Sequence, residues 1–506
     1  MQSPALRIPP LTVVLGLPIA MLVGVGIAVF PPVALAVIGS LAVAYLLVLA
    51  SRWPAPTGER RDRELAYYRI LLWVLLINVP TFLEFDSSGL THDHGLINTQ
   101  SLARIAVTLL TVALFFLGWA VPMDRSPASA TLSLAKVFAL PIALYGWYAI
   151  DALVVSSGTD LLLALFRSGE WFLFLAITWK IFRRTGPCNR DRPADLLRNS
   201  LPVVFFPIVA ILLVLPVMPS LVYQTSVATG LSRVGGLFTH PNVLAALSAM
   251  AFFYMAGTWN GWRKSAGMVL AVAIVIMTYS RSGLISLALV LPVSLFVRAR
   301  SVQARVWIGI AACLLAIAIF FSDSILAGAK HYLQRGQSES NLATLSERTI
   351  VWEAAKIMIN GSPILGTGFV AGPKGLADVM MTLSTASYFV APNAHNELLQ
   401  AQISGGVIAT FLSLLLQTRI FFLWWRLRKT IGEPTRSISL SWMVLLAIYG
   451  TLHPTLSAQL GLVSGLFVSL YLWLEYLYQK SNWKNAPEVS GVAWSIQPGR
   501  LVAWRR

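Results

Sequence analysis

The chain has 506 residues, of which 57% are hydrophobic and 12% charged, a formal net charge of +17 and a mean hydropathy of +0.71. So few polar side chains cannot cover a soluble globule of this length, which excludes an ordinary cytosolic enzyme and leaves a polytopic membrane protein. The basic excess sits in alternate loops between apolar runs, so it reads as a topology signal and not as a nucleic-acid surface.

A membrane-spanning helix needs roughly 20 mostly apolar residues, because every amide in hydrocarbon must be bonded within its own segment. Such runs fall near 11–30, 32–50, 68–85, 101–121, 137–154, 161–181, 200–219, 242–259, 267–280, 284–297, 306–321, 397–425, 438–452 and 460–478. They predict an all-α polytopic membrane protein with about 12–14 transmembrane helices. The first run is followed too closely by the second for a cleavable leader, so the first span is expected to serve as its own address. The pair at 267–280 and 284–297 is short and tightly joined, and 161–181 carries Arg167 and Glu170.

Lys and Arg gather at 51–63, 180–198, 262–264, 298–305, 425–436 and in the tail. If the spans alternate, these segments share one side, which the positive-inside rule makes cytoplasmic, with both termini there. The loops near 86–99, 220–240, 281–283, 322–395 and 453–459 then face outward. Residues 1–480 read as a single transmembrane domain and 481–506 as a cytoplasmic tail. Cys188 falls in a cytoplasmic loop and Cys313 in a span, so no disulfide across the outer face is expected.

The long outward loop at 322–395 is where function is sought, since loops of that length in compact proteins are functional or disordered. Within it Ile350, Ala354, Ile357 and Met358 recur at helical spacing before Gly361 and Pro363, which predicts an amphipathic helix followed by the Gly366-Thr367-Gly368 turn. Three arginines lie on the face that should be poor in them: Arg233, Arg281 and Arg348. Each can snorkel, brace a loop through a carboxylate, or hold an anion. Arg281 sits in Ser280-Arg281-Ser282-Gly283, where small residues open a helix whose first amides attract phosphate or carboxylate. The planar guanidinium suits phosphate because it donates bidentately and keeps its charge.

His395, Asn396 and Glu397 stand side by side where an apolar run resumes. A free imidazole titrates at about 6.5, so His395 is competent as a general base, and it is equally placed as a structural hydrogen-bonding group. Asn396 reads as a helix cap, and Glu397 either orients the imidazole or adds a favourable charge to the first turn. His92, Asp93 and His94 in an outer loop hint at a metal, but neighbouring side chains diverge and further ligands would have to come from elsewhere, so a solvated loop is the favoured reading. His240 and His453 can line a cleft or simply cap helices.

Arg233 with Pro241 and Asn242, then 280–283, then Arg348 and Trp352 in R-x-x-x-W, then Gly366 and Gly368, then His395-Asn396 before a glycine-containing span, resemble in order and spacing the O-antigen ligase and polymerase superfamily. The likeness runs from about 230 to 410. It implies a bacterial inner-membrane glycosyltransferase working on the periplasmic face. The donor would be a glycan on undecaprenyl diphosphate, and the acceptor a saccharide or lipid A-core in the surrounding membrane lipid. It implies inversion at the anomeric carbon, no cofactor and no metal. On this resemblance His395 is the catalytic base, Arg281, Arg348 and Arg233 bind the diphosphate, and Asn396, Glu397, Ser280, Ser282 and Trp352 support them. Ligase, polymerase and protein O-oligosaccharyltransferase are not separated by these residues. The competing reading is a transporter or flippase of a lipid-linked or anionic substrate, to which Arg167, Glu170 and the Gly/Pro interruptions also conform.

Overall fold

Amides that cannot reach water must bond within their own segment, and each described apolar run is helical. A computed structural model describes residues 60–81, 99–120, 131–185, 195–217, 219–225, 232–235, 239–299, 301–310, 348–383, 393–457, 460–484, 492–497 and 500–505. The expected spans at 11–30 and 32–50, most of that at 306–321, and the His92–His94 loop lie outside the described residues.

In chain order the helices are α1 (Arg60–Thr81), α2 (Thr99–Ala120), α3 (Thr131–Val155), α4 (Gly158–Thr185), α5 (Asp195–Val214) and the single turn α6 (Pro219–Val222). A small antiparallel hairpin follows, β1 (Tyr223–Thr225) and β2 (Ser232–Val234), with Gln224 opposite Arg233. Then come α7 (Pro241–Thr258), α8 (Gly261–Met277), α9 (Arg281–Arg298), α10 (Arg348–Gly361), α11 (Ala371–Leu383), α12 (Glu397–Leu427), α13 (Thr435–Leu452) and α14 (Leu462–Lys484). A second hairpin, β3 (Val492–Gln497) with β4 (Arg500–Arg505), lies in the region read as a tail. The two short hairpins are the departures from an all-α reading.

Five described segments are long and apolar enough to cross a membrane: Ala135–Val155, Gly158–Arg183, Pro241–Thr258, Arg281–Arg298 and Glu397–Leu427. Leu153, Leu162, Val269, Leu289 and Phe411 on their outer surfaces, and on α8, are more than half exposed. A bundle that turns so many large apolar side chains outward is built for hydrocarbon. The protein is a helical membrane protein.

α7 is buried along most of its length and packs against α5, α8, α9 and α13. Trp442 of α13 donates to the Met250 carbonyl of α7 at 2.9 Å. At one end of this core Arg298 gathers three helices, donating to Ala256 O at 2.9 Å and to Ser437 Oγ at 3.1 Å. Elsewhere Arg104 of α2 pairs with the fully buried Glu170 of α4, with Nε to Oε1 at 2.7 Å, and Thr108 adds a third bond at 3.1 Å.

α10 and α11 form a satellite core of Val351, Ala354, Ala355, Met358, Leu376, Met380, Ala394 and Ile403. The amphipathic helix is therefore present with a shifted face. Ile357, expected inside, is half exposed, and Val351 and Ala355 take the inner positions, because α11 and the start of α12 approach from that side.

α12 is interrupted by Gly405 and Gly406, the latter at φ +67°. The turn that ends α10 inserts its backbone into the break: Thr367 N donates to Ile403 O at 2.7 Å, and Val407 N to Pro363 O at 3.2 Å. Trp147 of α3 reaches Gly405 O at 2.7 Å. Amides and carbonyls released by the break thus find partners in protein, the condition for irregular backbone at membrane depth. A Cβ on Gly406 would collide with the carbonyl of Ile364, so the close approach needs glycine.

Candidate functional site

The N-termini of α7, α9 and α12 and the C-termini of α8 and α13 meet at the end of the bundle opposite Arg298. α9 opens with Ser280 as its N-cap, the Oγ accepting from Gly283 N at 3.2 Å. Gly283 also lets α9 close on α7, because a Cβ at this position would collide with that of Ala245. Arg281 is the first residue of the helix and is half-buried, in the position from which a cation and the first-turn amides can face one anion.

Arg233 comes to this corner on β2. Its Nε donates to Thr278 O and its Nη2 to Asn242 Oδ1, both at 2.9 Å. Arg233 and Asn242, which the sequence showed only as successive parts of one motif, are thus in direct contact through an amide oxygen. His240 caps α7, with Nδ1 accepting from Asn242 N at 3.2 Å, which is the structural alternative read for it.

The His395 segment is locked on both sides. Ala394 N donates to Gln400 Oε1 at 2.8 Å, while Ala394 O accepts from Trp352 Nε1 of α10 at 3.1 Å. His395 N donates to Asn393 Oδ1 at 3.0 Å. Asn396 is the cap foreseen for it, its Oδ1 accepting from Leu398 N and Leu399 N at 3.0 and 3.1 Å. His395 has φ +47°, and Tyr279, one residue before Ser280, has φ +50°. Among the described residues these are the non-glycine positions with positive φ, and they flank the same corner. Such backbone persists where the surroundings over-determine it, commonly at functional sites.

Glu397 takes a role that neither reading of the sequence anticipated. Its buried carboxylate accepts from Thr455 N at 2.5 Å, Leu456 N at 2.8 Å, Ser457 N at 3.0 Å and Ser413 Oγ at 2.8 Å. It clamps the turn between α13 and α14, and that turn carries His453. His453 is 8% exposed, and its ring stacks on Tyr449 with centroids 4.7 Å apart and meets His395 edge-on with centroids 5.7 Å apart. Its Nε2 lies 3.1 Å from Ser282 Oγ, which lies 3.0 Å from Ser280 Oγ.

The structure therefore brings Arg233, Ser280, Arg281, Ser282, His395, Asn396 and Glu397 into one corner, with Trp352 bracing it from α10. Arg348 opens α10, and its side chain lies outside the described residues. Two guanidinium groups, a helix N-terminus and an imidazole can stabilise a developing anion on one side and take a proton on the other. Sequence reasoning left His453, like His240, between lining a cleft and capping a helix. Its signal was the short polar turn His453-Pro454-Thr455 between the last apolar runs.

A search of curated proteins finds no match to the chain. Residues 266–414 match the O-antigen ligase family, a segment that contains Arg281, Arg348, the Gly366–Gly368 turn and His395. Over those residues the chain is similar to the O-antigen ligase family, and the match supports a likeness to the O-antigen ligase and polymerase superfamily.

Proposed function

We propose that the protein transfers a glycan from undecaprenyl diphosphate to a sugar hydroxyl on the periplasmic face of the bacterial inner membrane, as an O-antigen ligase or polymerase. The observation that carries this reading is that the α9 turn bearing Arg281 meets, through Ser282, the His453 ring that stands against His395, with Arg281 and His395 both inside the segment that matches the ligase family.

The reaction needs two things at once. The bond between the anomeric carbon and the diphosphate oxygen breaks, and its electron pair leaves with the lipid diphosphate. Arg281, Arg233 and Arg348, with the first amides of α9, stabilise that charge. The acceptor oxygen attacks the opposite face of the anomeric carbon, giving inversion, and its proton passes to His395. No step calls for a cofactor or a metal ion.

The test is a reconstituted transfer assay with an undecaprenyl-diphosphate oligosaccharide and a lipid A-core acceptor, run with a chelator. Wild type forms product, and Arg281→Ala and Arg348→Ala abolish it in folded protein. Arg281→Lys restores little, because a point charge cannot reproduce bidentate phosphate contact. A ladder from donor alone identifies a polymerase, and one shifted product that requires the lipid acceptor identifies a ligase. Absence of product in every combination from folded protein refutes the reading.

A further inference from the structure

We propose that His453 is a positioning residue of the transfer site, coupling the arginine-bearing turn of α9 to the segment that carries His395. The proposal rests on the roles given above to Arg281 and His395.

His453 does more than a capping residue requires. Its backbone already serves as the C-cap of α13, donating to Tyr449 O at 2.8 Å. Its side chain instead crosses to another helix and meets Ser282, the residue next to Arg281, at 3.1 Å. The ring is held in that direction from several sides: Tyr449 stacks below it at an interplanar angle of 27°, and His395 stands edge-on at 79°. The turn that follows it is pinned by four bonds from Thr455, Leu456 and Ser457 to the carboxylate of Glu397, two residues after His395. A continuous chain therefore runs from the α9 turn through Ser282 and His453 to the 455–457 amides, then to Glu397 and back to the His395 segment.

The chemistry explains why such a chain matters. The leaving diphosphate and the departing proton lie on opposite sides of one carbon, so the distance between guanidinium and imidazole must stay fixed while both bonds change. Misplacing a reacting group by about 1 Å costs on the order of 100-fold in rate. α9 and α12 come from distant parts of the chain; the His453 side chain bonds the first turn of α9 and packs on His395, while the turn that follows it is held by Glu397 of α12.

The test is a double-mutant cycle in the same assay, with His453→Phe, which keeps a ring over Tyr449 but loses the bond to Ser282, and with Ser282→Ala. His395→Ala and thermal unfolding of every variant are run alongside. Each single variant is expected to lower kcat about tenfold or more, with KM for the donor changed less than about threefold, and the double variant falls no further than the worse single. His453→Gln, which can still reach Ser282, restores part of the rate. His453→Phe at the wild-type kcat, or losses that simply multiply in the double variant, overturns the proposal and leaves the reading of His395 standing. His395→Ala at the wild-type rate overturns both.

Discussion

Two buried glutamates handle their charge in different ways. Glu170, midway along α4, faces the guanidinium of Arg104 and the hydroxyl of Thr108, and the group ties α2 to α4. Glu397, in the first turn of α12, is held by three successive backbone amides and a serine. An arginine offsets charge wherever it can reach, so a pair of that kind braces packed helices. A carboxylate in a ring of amides fixes a backbone path, and the path fixed here is the one that carries His453. The first corner belongs to the bundle, and the second to the site.

Mutation separates brace from site. The largest effect is expected at the site: His395→Ala lowers transfer by about 100- to 10,000-fold, the span of general acid–base contributions, without altering the melting transition. Equal loss of stability and activity would put His395 with the braces. Next, Glu170→Ala leaves a buried guanidinium uncompensated and costs about 3–5 kcal/mol of stability, while transfer per folded molecule stays near wild type. Replacing Arg104 and Glu170 together by Met recovers most of that stability, as unfolding in detergent can measure.

Glu397→Gln keeps the shape but turns an N–H₂ toward amide donors. Transfer is expected to fall about tenfold, and hydrogen exchange to quicken at the 455–457 amides before it does elsewhere, the mark of local opening. Unchanged exchange at these amides would remove Glu397 from the path. The smallest effect is expected from Trp352→Phe, which deletes one bond to Ala394 O and costs about 1 kcal/mol, with a loss of transfer of a few fold.

Much of this was legible without coordinates. The cap at Asn396 and the helix opening at Ser280 follow from local chemistry, because a side-chain oxygen two or three residues from an amide needs no tertiary partner. The amphipathic helix was readable as a helix, but its inner face was not, since α11 and α12 decide which side of it is covered. Glu397 was readable as a partner for His395 or as a first-turn charge, and from that first turn it binds a turn some sixty positions away. Gly405-Gly406 reads as an ordinary weak point in a helix until Pro363–Gly368 is seen lodged against it.

Local pattern alone establishes a membrane protein of apolar helices, and it marks which motifs bear a cation, a cap or an imidazole. Periodicity, hydropathy and capping act over a few residues and are written in order along the chain. That the α9 turn, the His395 segment and the His453 turn share one corner, and that Glu397 holds the last of these in place, emerges only once the helices are packed. Those contacts join residues more than fifty positions apart, where the energy lies in packing and hydrogen-bond geometry that no local pattern records.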